Sequence, residues 1–475
     1  VAFTIPQIIS KIIAVLIVTN ATEVKAAVPE AAKAISGTGI FRDKIFWLNW
    51  DLNGNATNGD NISSGTTRSW TSPSGIVYKA TITSLTGSIV SDYANGWNGN
   101  NIIGVYDFAT GITPAIKTAT GGGTATFTMT VTATLPNGTI ITKNNFVLAG
   151  AESLSISSEY YQLSVPTTSK PLKLLETYIK GGNFSNFNID ITVSNNGNTL
   201  YATNLVNGNS RGDVLIGAEQ VENVTVTLKG EGLQSIAIGI FEEMDFGDAD
   251  NSYETNSTNT IDYARHIAVS SYSGGVLANG TIKLSGTSAK TPNSNIATLQ
   301  SPVLTLGASI DTEEAKKTSA SGKANGDDND NIDDEDGLVS FLLSSNQGVF
   351  YAKNSTGKMA YCHIWIDENK NGKFDANEYI KVYVPNGTNG DLTFNPSSIG
   401  SFYSGTYYTV RLRLTTMSTL TPYGVAIDGE VEDHIVTVVH SFDDINQTPM
   451  NIPVNDNLLI NDKITDKVVK PTFNG

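Results

Sequence analysis

Phe127, Met129, Val131, Ala133 and Leu135 occupy every second position of one stretch, with threonine at each position between them. A period of two sends alternate side chains to opposite faces of an extended strand, so this segment fits a half-buried strand and not an amphipathic helix. Asn137-Gly138 follows directly, the pair that best tolerates the left-handed backbone of a tight hairpin. Val224-Thr225-Val226-Thr227-Leu228 repeats the alternation, and Ile189 to Val193 runs into a second turn pair, Asn196-Gly197. Ile236 to Ile240 reads as the closing strand. Strands recur with no helical period between them, which predicts an all-β fold, a sandwich or jelly roll over 36–243.

Residues 244–337 are polar and turn-rich and end in an acidic run, Asp327, Asp328, Asp330, Asp333, Asp334, Glu335 and Asp336, so they are expected to form an Asp-rich connector. A second, smaller β-sandwich is expected over 338–440, its clearest strands at Tyr361 to Ile366 and Thr406 to Leu414. Residues 441–475 have the character of the start of a further module. At the other end, Ile8 to Val18 is the only strongly apolar run; it is short for a membrane span and is followed by Val24-Lys25-Ala26, a small-residue cleavage pattern. Residues 1–35 therefore read as a signal peptide, as a retained hydrophobic segment that docks on a partner, or as a buried helix.

The charge balance of 30 bases against 46 acids gives −16, which argues against nucleic acid as a partner and is compatible with hard cations. A single cysteine, Cys362, excludes an internal disulfide framework.

The sharpest motif spans Asp367 to Glu378 and satisfies D-x-[DN]-x-[DN]-G-x5-E at every specified position. Asp367, Asn369 and Asn371 supply oxygens, Gly372 permits the sharp turn, Lys373 offers its carbonyl, Asp375 sits at the ninth position and Glu378 closes the shell. Its flanks read as strands, so an EF-hand-like Ca²⁺ loop is expected inside a β-hairpin; the competing reading is an Asn/Asp/Gly turn without metal. The other candidates are weak. Arg211-Gly212-Asp213 is a three-residue match to an integrin-binding tripeptide. His266, His363, His434 and His440 lack metal-ligand spacing, and no G-x-S-x-G nucleophile motif is present. Cys362 reads as a small core hydrophobe. Trp47, Trp50, Trp70 and Trp97 fit core packing better than the walls of a sugar or peptide groove.

Two resemblances follow from longer motifs. Trp365-Ile366-Asp367, Asn371 to Asp375, Arg411-Leu412-Arg413 and Asp428-Gly429-Glu430-Val431-Glu432-Asp433-His434 resemble the GEVED domain family of bacterial surface proteins. Asp245 to Ala249, Ser252-Tyr253 and Ala264-Arg265-His266 are similar to the segment that usually precedes it, with Asp250 where the family usually has proline. Ile45 to Asp51, Asn145 to Ala149 with Ala151-Glu152-Ser153, and Gly230 to Gly239 resemble the CshA-type non-repetitive domain of surface adhesins, which implies a lectin-like sandwich. Together they imply the tip of a long fibrillar adhesin on the cell surface, outer-membrane associated, of a kind used by Bacteroidota for attachment or gliding. Such a tip binds an extracellular glycan or protein ligand and has no catalytic residues; Ca²⁺ stiffens the connector. Asp333, Asp334, Asp336, Glu430, Glu432 and Asp433 form a candidate second metal set. A carbohydrate-active hydrolase in the first domain and a purely structural surface component are the competing functions.

Overall fold

The threonine-alternating stretch forms the strand Thr124–Thr134, and its apolar members from Ala125 to Ala133 are buried. On the opposite face, Thr126 and Thr128 pair their hydroxyls with Thr227 and Thr225 of the neighbouring strand, both at 2.9 Å. Asn137-Gly138 turns the chain back as expected: Gly138 has φ +83° and Thr139 N–H donates to the Asn137 carbonyl oxygen of the side chain. This computed structural model describes residues 28–437 apart from 55–58, 93–101, 103–104, 155, 180–186, 206–211, 257, 269–274, 287–302, 311, 314–315, 317–334, 343–345 and 404–405. The terminal readings, residues 1–27 and 441–475, and Trp97, Arg211, Asp333 and Asp334 lie outside the described residues, as does His440.

Among the described residues, the first domain is a sandwich of two nine-stranded, antiparallel sheets. One runs through Lys173–Ile179, Gly212–Val221, Asn144–Gly150 and Ser235–Phe241. The other runs through Phe187–Ser194, Thr199–Thr203, Tyr160–Ser164, Asn223–Lys229, Thr124–Thr134 and Val77–Thr86. Phe127, Met129, Leu148, Tyr161, Val226 and Ile238 fill the space between them. Ser235–Phe241 does not close the sheet at an edge. It is an inner strand, pairing with Asn144–Gly150 on one side and with Ile45–Leu48 and Ala115–Thr118 on the other. Trp47 and Trp50 are fully buried and Trp70 is stacked on Tyr78, so these three belong to the core.

Among the described residues, the second domain packs two four-stranded sheets. Tyr379–Val384, Ala360–Ile366, Tyr407–Thr415 and Glu430–Thr437 form one; Leu304–Leu306, Leu338–Leu342, Gln347–Asn354 and Asn389–Phe394 form the other. Phe350, Cys362, Ile364, Leu412 and Leu414 lie between them.

The described parts of 244–337 pair with both domains. Met244–Phe246 and Arg265–Ile267 form a small sheet with Val425–Ala426 of the second domain. Gly280–Gly286 then returns to the first domain and pairs with Phe187–Ser194, and Leu304–Leu306 goes over to the second, pairing with Gln347–Asn354. The first domain therefore takes a strand from beyond residue 243. Among the described residues, no helix is long and apolar enough to cross a membrane.

Candidate functional site

The segment Asp367–Glu378 joins the antiparallel strands Ala360–Ile366 and Tyr379–Val384, so it is the loop of a hairpin. Its oxygens turn inward. Asp367 Oδ1 accepts from Asn371 N–H at 3.1 Å and its Oδ2 from Gly372 N–H at 3.0 Å. Gly372 makes this approach with φ +76°, a conformation that strains any residue with a Cβ. The side-chain amides of Asn369 and Asn371 both donate to Asp375 Oδ2, at 2.9 and 2.8 Å. Glu378 is buried at the base of the loop, where its two oxygens accept from Asn369 N–H and Asp375 N–H. Burial pushes its carboxyl up; hydrogen bonds from these amides act the other way. Five side chains of the motif are thus gathered by a network that leaves carboxylate lone pairs spare. Lys373 enters through its N–H, which donates to Asn371 Oδ1.

Sequence reasoning missed Tyr253 in this site. Its hydroxyl donates to Asp367 Oδ2 at 2.8 Å and lies 2.9 Å from Thr409 Oγ1, and its ring packs on Phe374. The signal was present in Ser252-Tyr253, one of the motifs upstream of the domain.

The acids of the 428–434 signature do not converge. Strand alternation puts Glu430 and Glu432 on one face and Asp433 on the other. Glu430 accepts from Leu306 N–H at 2.5 Å, and Glu432 accepts from Gly337 N–H at 2.9 Å. Asp336 accepts from Ala308 N–H at 3.0 Å. Asp433 forms a two-bond pair with Arg411 Nε and Nη2, and Nη2 and Nη1 also bind Glu254, at 2.7 and 3.1 Å. Lys316 completes this buried network on Glu254 at 2.9 Å. Burial alone would raise the Asp433 carboxyl, but Arg411 outweighs it and holds it below the usual range. The four described acids of the second metal set, Asp336, Glu430, Glu432 and Asp433, are therefore not one site: each fixes a different piece of backbone or a cation.

Arg413 explains why the upstream segment accompanies the domain. Its guanidinium donates to the carbonyls of Arg265, Thr421, Tyr423 and Gly424 and, at 3.0 Å, to His266 Nε2. His266 Nδ1 lies 2.7 Å from the Asp428 carbonyl, so the ring is neutral with its proton on Nδ1. Burial, reinforced by Arg413, pushes its pKa well down. Residues 245–266 are thus part of the second domain's framework.

In the first domain, Asp213 of the Arg-Gly-Asp tripeptide is fully buried, with Oδ1 accepting from Tyr161 at 2.7 Å, so it is not displayed to a receptor. Where the domains meet, Lys33, Lys44, Phe46, Glu242, Glu243 and Glu313 line an open cleft, and Lys44 pairs with Glu243.

Residues 43–241 match the family model for surface adhesin CshA non-repetitive domain 2, and residues 361–437 match that for the GEVED domain. No curated protein matches the chain. Among solved structures, the N-terminal domain of the Streptococcus gordonii adhesin Sgo0707 is 5% identical, with 82% of this chain and 84% of that chain covered at a TM-score of 0.28. The chain carries a CshA-type non-repetitive domain followed by a GEVED domain, the modules of a surface adhesin.

Proposed function

We propose that the chain is the ligand-binding tip of a cell-surface adhesin and that Ca²⁺ held by Asp367, Asn369, Asn371, Asp375, Glu378 and the Lys373 carbonyl stiffens its second domain. The adhesin modules support the first part. The second rests on the gathering of five motif side chains around one hairpin loop, with Tyr253 bracing Asp367 from the neighbouring segment. Three carboxylates in one loop repel one another, and a hard cation with 6–8 oxygen ligands relieves that repulsion. Asn369 and Asn371 now direct their amide groups at Asp375; rotation of each about its last bond presents the carbonyl oxygen instead. The ligand on this reading is an extracellular glycan or protein, and the location is the outer-membrane surface.

The test is thermal unfolding of the full chain with Ca²⁺ and with chelator, beside an Asp367→Ala variant. Ca²⁺ raises the melting temperature of the wild type only. An unchanged wild-type melt in chelator overturns the calcium reading. A glycan and matrix-protein array with no binding overturns the ligand-binding reading and favours a structural surface component.

A further inference from the structure

We propose that Glu335, Glu432 and His434 bind a divalent transition-metal ion of the zinc class, at a site separate from the hairpin loop. Glu432 and His434 are two apart on the strand Glu430–Thr437 and so share a face. Glu335 comes from the opposite direction, just ahead of the strand Leu338–Leu342. One ligand atom from each lies within 4.8 Å of the other two. His434 Nε2 is 2.9 Å from Glu432 Oε2 and 3.7 Å from Glu335 Oε2. A tetrahedral shell with bonds of about 2.0–2.1 Å sets its ligand atoms ~3.3 Å apart, between those two separations.

Both carboxylates are held from behind. Asp433 N–H donates to Glu335 Oε2 at 2.9 Å, and Gly337 N–H donates to Glu432. Such outer contacts orient metal ligands. The three side chains are only 10%, 1% and 13% exposed, so an ion here is shielded yet reachable from the His434 side. Charge favours it as well: two carboxylates face one imidazole, and Asp336 adds a further negative charge near Glu432. The imidazole decides the class of ion, since calcium and magnesium prefer all-oxygen shells and imidazole suits zinc and its neighbours. Binding displaces the Nε2 proton if the ring is in that tautomer, and leaves a fourth position for water.

The experiment uses the full chain stripped by chelator and titrated with Zn²⁺ by calorimetry, and with Co²⁺ by visible absorption. One equivalent binds. E335Q and H434Q each weaken it at least about 10-fold, more than loss of an outer contact does at the low end. H440Q leaves it unchanged, which separates this site from another histidine. Wild-type affinity in H434Q, or displacement of Zn²⁺ by equimolar Ca²⁺, overturns the proposal. If the variants do not fold, ¹⁵N spectra of the wild type decide: Zn²⁺ shifts one histidine ring nitrogen, and no shift refutes the site.

Discussion

Asp213 makes the first domain sensitive to alkali. Burial pushes its carboxyl from 3.8 up to about 7, against the hydrogen bonds from Tyr161 and Val214 N–H. The group keeps its proton in the fold when the unfolded chain has already lost it. The stability it contributes is therefore complete below pH 3.8 and is lost as the pH rises towards about 7. Each pH unit in that window costs about 1.4 kcal/mol, so raising the pH from ~5 to ~8 removes roughly 2–3 kcal/mol. For a domain of this size that lowers the melting temperature by roughly 5–10 °C. Glu176, buried and pushed up to about 6 beside Tyr106, adds a smaller loss over the lower part of the window. Asp213→Asn keeps the acceptor for Tyr161 and puts an amide group at Oδ2, which has no partner. It is expected to cost about 1–3 kcal/mol near pH ~5, where the wild-type carboxyl is still protonated, and to lose that disadvantage towards pH ~8, which flattens the slope. Calorimetric melts of the full chain, wild type and D213N, across this pH range read both effects. If D213N keeps the full wild-type slope, Asp213 is not the group that titrates.

Arg411→Met leaves Glu254 and Asp433 buried without their shared cation, and denaturant unfolding of the second domain should shift by about 3–5 kcal/mol. Gly372→Ala places a Cβ at φ +76° and 3.3 Å from Ser252 Oγ, so a loss of about 1–2 kcal/mol in the same assay is expected. Cys362 is fully buried and its thiol is pushed well above its ordinary pKa, so a disulfide reagent should label it only on unfolding in denaturant. Rapid labelling of the native chain refutes that placement.

Features written in local periodicity were legible in the sequence. The threonine alternation yields the strand Thr124–Thr134, and the strands around the 367–378 loop lie where the flanking residues put them. Features that depend on pairing across the chain were not. Gly280–Gly286 is a short polar edge strand whose partner is Phe187–Ser194, and nothing in its own composition names that partner. Glu254 meets Arg411 across 157 residues. The acids of 428–433 are a different failure. Read as composition they look like one reservoir for cations, although the period of two already separates Glu432 from Asp433. Glu335 and His434 come together only because the Glu432 strand lies beside the end of the acidic run.

The route of the chain between its domains bears on how an adhesin resists being pulled. After Phe241 the backbone crosses to a sheet shared with Val425–Ala426, returns to the first sandwich at Gly280–Gly286, and crosses again at Leu304–Leu306. A simple linker would act as a hinge and take up slack first. Here the chain is stitched through both bodies, so tension between them loads the strand pairs that Gly280–Gly286 and Leu304–Leu306 make. The joint is built as a seam, and parting it means peeling strands from their sheets.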